Sequence, residues 1–253
     1  MASRRAADEL IASGAVRVNG KRPPPTGVFI DPQNDRITVH GKAVKPVTRH
    51  RYIVLNKPLG VITTAKDEVL RTTVLDVVGD EGKGSHRLFP VGRLDADTSG
   101  LLLLTDDGDL AYRLTHPGYK VSKEYIALVA GNPSTADIES LRAGVELDDG
   151  LTAPAEVDVL RITPGSRDSG VAEVRIVIRE GGHRQVRSML HFIGHKVQSL
   201  QRVGFGPLKL GRLKVGGWRV LGEAEISALQ RAVETKTPKS RNPGQETQVK
   251  KPK

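Results

Sequence analysis

Apolar residues recur along this chain in short runs bounded by glycine, proline and asparagine, a spacing that favours strands over long helices. Residues 3–13 are the first exception and predict a short helix. Ser3 is placed to cap it, Ala6 and Leu10 share a face, and Gly14 ends it. Strands are expected at 16–18 and 37–39, joined by a loop holding Asn19-Gly20 and Pro23-Pro24-Pro25. Asn34 and Asp35 turn the chain, and His40-Gly41 is expected to close the second strand. Residues 1–45 thus predict a small α/β unit, and the basic stretch 46–51 a linker.

A second domain, 52–234, opens with the β-branched run Tyr52-Ile53-Val54-Leu55. Further strands are expected at 101–104, 125–129, 156–160, 172–178 and 196–203, and helices at 109–114, 135–142, 183–193 and 223–233. Strands outnumber helices without alternating with them. The expected class is therefore α+β, with a mixed, mainly antiparallel sheet flanked by helices and loops. Residues 235–253 hold three prolines, no aromatic residue and one aliphatic, Val249, which predicts a disordered basic tail.

Charge sharpens this division. The net charge is +10, of which residues 1–51 carry +6 and 235–253 carry +5, leaving the body at −1. Basic ends on a near-neutral body suit a polyanionic partner, although a basic tail also serves solubility. Cysteine is absent, which excludes disulfides and thiolate chemistry. No apolar run approaches a membrane span, and Met1-Ala2-Ser3-Arg4-Arg5 leads into amphipathic sequence without the core of a signal peptide. A cytoplasmic protein with no membrane association is expected.

The densest chemistry lies in Gly92-Arg93-Leu94-Asp95-Ala96-Asp97-Thr98-Ser99-Gly100, followed by Leu101–Leu104 and Thr105-Asp106-Asp107-Gly108. The leucines predict a strand buried on both faces, and a carboxylate on a turn beside such a strand is well placed to act on a substrate. The same stretch also fits a calcium loop, with Asp95, Asp97, Ser99, Gly100, Leu102 and Asp106 at template positions. Against calcium stand Pro90 and Gly92, which break the entering helix, Leu103 at a ligand position, and Asp in place of the closing Glu. On spacing alone the two readings are about equal.

Gly92–Gly108 resembles the signature segment of the ribosomal RNA pseudouridine synthases of the RsuA, RluB, RluE and RluF type, most closely the large-subunit RluB-type enzymes. Other stretches resemble this family in the same order. They are Tyr52 through Lys57-Pro58-Leu59-Gly60, Lys123-Glu124-Tyr125, Glu180 through His183-Arg184-Gln185-Val186-Arg187, and Arg202 through Gly206-Pro207-Leu208. Residues 3–11 and Val16 through Lys21 resemble an S4 RNA-binding domain, here expected to lack its first helix.

The resemblance implies an enzyme that converts uridine to pseudouridine without cofactor or metal, acting as a monomer on ribosomal RNA within a subunit precursor. Large-subunit (23S) RNA is the expected target and small-subunit (16S) RNA the alternative. A non-catalytic S4-type RNA-binding protein is the rival from another class. Asp95 is implied as the catalytic carboxylate, acting at the sugar or at C6 of the base. Arg187 is expected to pair with Asp95, Tyr125 to stack on the extruded base, and Arg93 to fill the space it leaves or to hold a phosphate. Lys57, Lys123 and Arg184, with Arg4, Arg5, Arg17, Lys21 and Arg22 of the first unit, are expected to contact RNA. Asp97 is expected to stabilise the turn.

Overall fold

The computed structural model describes residues 4–24, 27–44, 49–65, 67, 69–80, 87–164 and 170–234. The cap at Ser3, the first half of the linker (46–48) and the tail at 235–253 lie outside them, as does the Arg4 side chain. Two compact units form, Met1–His50 and Arg51–Lys253.

The first unit holds helix α1 (Arg4–Ala12) and strands β1 (Val16–Val18), β2 (Ile37–Val39) and β3 (Lys42–Ala43), paired antiparallel in that order. His40-Gly41 does not end the sheet. Both residues take positive φ, 47° and 77°, and reverse the chain so that Val39 pairs with Lys42. The pair thus closes β2 as expected, and such φ values build a two-residue hairpin that adds β3.

The second unit is a nine-stranded sheet with helices against it. Its path runs β10 (Glu156–Thr163), β11 (Val171–Ile178), β7 (Lys123–Ala130), β12 (Val197–Phe205), β6 (Ser99–Thr105), β4 (Tyr52–Lys57) and β14 (Trp218–Val220). Strand β5 (Phe89–Pro90) pairs with β6 and β13 (Leu208–Lys209) with β12. A separate hairpin joins β8 (Glu146–Leu147) to β9 (Gly150–Leu151). Among the described strands only β6 and β12 pair in parallel, with Arg202 opposite Gly100. The class is the mixed, mainly antiparallel α+β expected.

Among the described residues the second unit's α-helices are α2 (Val74–Val78), α3 (Gly108–Thr115), α4 (Thr135–Ala143), α5 (Gln185–Phe192) and α6 (Glu223–Glu234). Helix α2 was not anticipated, although Thr73 and Asp76 form a full capping box around its first turn. Among the described residues no helix is long and apolar enough to cross a membrane.

The leucine run explains where the core sits. Leu102 and Leu104 join Ile53, Leu55 and Tyr125 on one face of the sheet, while Leu101 and Leu103 join Tyr52, Val54 and Phe205 on the other. All four leucines are fully buried, each worth about 1.5–3 kcal/mol. The loop before β6 is therefore anchored to the most rigid part of the molecule.

Candidate active site

The loop from β5 to β6 carries Asp95. The Thr98 N–H donates to the Asp95 carbonyl at 3.1 Å and closes a tight turn. A second loop, after β4, pins its flanks. The Thr63 hydroxyl donates to the Leu94 carbonyl at 2.6 Å and accepts from the Leu94 N–H at 3.3 Å. The Gly60 N–H donates to the Ala96 carbonyl at 2.7 Å. Both neighbours of Asp95 are thus fixed by main-chain bonds, and its carboxylate lines a cleft of about 470 Å³. Thr63 gave no signal in the sequence, because its role depends on two loops meeting.

The arginines fall differently from expectation. Arg187 does not bond Asp95. It donates to the Asp97 carbonyl at 2.7 Å, with its Nε 3.4 Å from the Asp97 carboxylate. Arg184 grips that carboxylate with two bonds, at 3.1 and 2.7 Å, and lies 3.5 Å from Asp95. The cause is local. Helix α5 starts two residues later than the expected 183, and Arg184 sits before it in a left-handed conformation, φ 50° and ψ 26°. Its side chain therefore reaches across to the Asp95–Asp97 turn. The paired bonds from Arg184, then the Arg187 charge, hold the Asp97 carboxyl below the usual range. Asp97 thus joins the turn to α5 through two guanidinium groups.

Tyr125 lies on β7, 8% exposed, and lines the same cleft, as do Arg93, Arg184, Lys123 and Arg202. Lys123 is not spread on an outer surface. Its ammonium donates to the Glu180 carbonyl at 3.1 Å, and burial, then the Arg202 charge, bring its pKa down to about 8. Arg202 is 1% exposed, an unusual burial for an arginine. Its strand also carries Gln198, Ser199 and Gln201, so the local sequence gave no sign of this burial.

Lys57 is the clearest correction. It is 0% exposed and its ammonium donates to the carbonyls of Pro58 and Val61, at 2.9 and 2.8 Å. It cannot touch RNA. It shapes the loop that delivers Gly60 and Thr63 to the Asp95 turn. Burial lowers its pKa to about 8, from an ordinary 10.5. Between those values the folded chain has released a proton that the unfolded chain keeps, so Lys57 adds stability as pH rises. The stability of the native chain relative to a Lys57→Met variant is expected to increase by up to about 1.4 kcal/mol per pH unit across that window. Urea melts at pH 7.5 and 9.5 check it, and a pH-independent difference would show that the ammonium stays charged.

In the first unit Arg5, Arg17 and Lys21 are exposed. Arg22 is also exposed but donates to the Ala12 carbonyl at 2.8 Å, so part of its guanidinium closes α1.

The calcium template does not close. Its second half is strand β6, and 99–105 as a strand extends about 20 Å, which keeps its two ends from meeting on one ion. Among the described residues no cluster of three or more His, Asp or Glu is arranged to hold a metal.

Comparison with known proteins adds a family. A model described as RNA pseudouridylate synthase matches residues 51–192. The ribosomal large subunit pseudouridine synthase B of Bacillus subtilis (strain 168) is 41% identical over 233 residues, covering 91% of each chain. An uncharacterized RNA pseudouridine synthase of Aquifex aeolicus (strain VF5) is 41% identical over 234 residues, 92% of this chain and 90% of its own. A crystal structure of a pseudouridylate synthase superposes with a TM-score of 0.63 at 30% identity, over 90% of this chain and 94% of the other.

Proposed function

Because the chain belongs to the RNA pseudouridine synthase family, we propose that it isomerises one uridine of large-subunit ribosomal RNA, with Asp95 as the essential carboxylate. The observation that carries this reading is the Asp95 turn, clamped on both sides and opening on a cleft that also holds Tyr125. The choice of the large subunit leans on the Bacillus subtilis relative, whose name assigns it there.

The reaction breaks the N1–C1′ bond, turns the base and joins C5 to C1′. An anionic carboxylate acts in it either at the sugar, by attack on C1′ or removal of a C2′ proton, or by addition to C6. Arg184, 3.5 Å away, sets a guanidinium beside that carboxylate and limits where it can point. Tyr125 offers the extruded base an aromatic face, which offsets the cost of unstacking it. Arg93 and Arg184 stand exposed at the mouth, where phosphates pass.

The first unit serves as an S4-like RNA-binding module that fixes the enzyme on folded RNA through Arg5, Arg17 and Lys21. The enzyme works as a cytoplasmic monomer on a subunit precursor, without cofactor or metal.

A pseudouridine map of ribosomal RNA from cells with and without the gene tests the proposal. One 23S site is expected to disappear and to return when the gene is restored. Loss of a 16S site would move the substrate to the small subunit. An unchanged map would favour a protein that binds RNA without modifying it.

A further inference from the structure

The deep wall of the cleft holds two cations that the proposed chemistry has not yet used. Lys123 and Tyr125 stand two residues apart on β7, and Arg202 lies opposite Tyr125 across the β7–β12 pairing. All three line the cleft. Among the described residues neither Lys123 nor Arg202 has a carboxylate in an ion pair. The nearest candidate, Glu180, turns one oxygen, Oε1, to the Ala153 N–H at 2.9 Å and to the Gln185 amide, and its charge reaches Lys123 without forming an ion pair.

Arg202 is held rigidly. Its Nε donates to the Leu101 carbonyl at 2.8 Å, and its guanidinium lies 5.2 Å from the centre of the Phe205 ring. One terminal nitrogen, Nη2, is buried with no hydrogen-bond partner. A buried, unpartnered guanidinium N–H is costly unless something else accepts from it. Lys123 uses one of its three donors on the Glu180 carbonyl.

We infer that Lys123 and Arg202 form an oxyanion site for the uracil ring, catalytic residues that hold the negative charge the base acquires while it is detached from or activated at the sugar. This rests on the uridine-isomerising reading above. Either route to pseudouridine creates that charge. If N1–C1′ breaks first, its electron pair stays on the ring and spreads over N1, O2 and O4, while C1′ is satisfied by Asp95 or by loss of the C2′ proton. If Asp95 first adds to C6, the C5–C6 π pair moves toward O4. In the first route C5 bonds C1′ as Asp95 leaves it, or as the proton returns to C2′; in the second C5 displaces N1 from C1′ and Asp95 then leaves C6. In both, C5 loses its proton and N1 gains one, the charge collapses, and no co-reactant is needed.

Depth separates this site from one for the RNA backbone. Arg93 and Arg184 are exposed at the mouth, whereas Arg202 is 1% exposed beside Tyr125. A backbone phosphate cannot follow the base to that wall, but the carbonyl oxygens of a ring stacked on Tyr125 reach it. Preorganised donors in a site closed to water act on charge as it develops and need no rearrangement.

The test is single-turnover kinetics on a ribosomal RNA transcript containing the target uridine, with RNA affinity and thermal melting measured alongside. Lys123→Met, close in volume to the native residue, is expected to lower the rate at saturating enzyme by about 100-fold, with RNA affinity unchanged within three-fold. Lys123→Arg is expected to restore most of the rate. Lys123→Gln replaces Lys123→Met should the latter melt early. Arg202→Lys, which keeps the charge but not the fixed fork, is expected to fall between them. A folded Lys123→Met or Lys123→Gln enzyme within three-fold of the native rate overturns the inference. A loss confined to affinity also overturns it, since that would make Lys123 a phosphate contact. A native enzyme with no activity on any ribosomal transcript would instead bring down the parent reading.

Discussion

Replacing Asp95 with asparagine is expected to lower turnover by at least about 1,000-fold, a loss of more than about 4 kcal/mol of transition-state stabilisation, while the protein melts close to the native temperature. The chemistry part follows from charge. The amide keeps the shape of the carboxylate but cannot serve as nucleophile or base. The stability part follows from where the bonds around Asp95 are made. The turn is held by the Asp95 carbonyl, by both polar groups of Leu94 and by the Ala96 carbonyl, all of them main-chain atoms that the substitution leaves in place. The side chain itself is 37% exposed and has one ion-pair contact, to Arg184 at 3.5 Å. An exposed pair of that kind contributes about 0–1 kcal/mol to folding. RNA affinity and melting of the purified variant are measured beside its rate. Activity above a hundredth of the native level would remove Asp95 from the chemistry.

The largest loss of stability is expected at Gly100. A Cβ there would stand well inside van der Waals contact of the Arg202 carbonyl oxygen and 2.7 Å from the Arg202 nitrogen. Both are backbone atoms in the parallel pairing of β6 with β12, so neither can swing aside. Gly100 also has φ +108°, where side chains are strained regardless of space. Overpacking costs about 1–3 kcal/mol and a strained backbone about as much again, so Gly100→Ala is expected to lose at least about 3 kcal/mol. Since Arg202 itself would be displaced, activity should fall with stability. A Gly100→Ala protein that unfolds in urea at the native midpoint would mean that the two strands are not this close.

Much of this molecule can be read from its residues in order. The leucines at 101–104 announced a strand buried on both faces, and they divide between two cores as their alternation requires. Asp95 was found as a carboxylate displayed on a turn beside that strand. What escaped reading was set by residues far apart in the chain. Lys57 in Asn56-Lys57-Pro58 resembles an exposed turn, but it lies opposite Gly100 of β6 and its ammonium is wrapped by the loop to Val61. Strand β14 has just three residues and pairs with β4 across some 160 positions of sequence, so no local pattern predicts the partnership. The partner of Arg187 was misassigned because helical spacing places side chains on a face but not against a particular carboxylate. The left-handed Arg184 decided that, and such a conformation is rare outside glycine and asparagine.

The parallel seam between β6 and β12 also bears on when the enzyme comes into being. It pairs Ser99 and Gly100 with Gln201 and Arg202, about 100 residues later, and no neighbouring hairpin can bring them together early. Contacts of such wide separation form slowly and late. The Asp95 turn belongs to the early half of the chain, while Arg184, Arg187 and Arg202 belong to the late half. During synthesis the Asp95 turn therefore emerges long before the arginines that hold it and line its cleft. A chain that stops short of β12 lacks one side of this seam, and with it the Arg202 wall of the cleft.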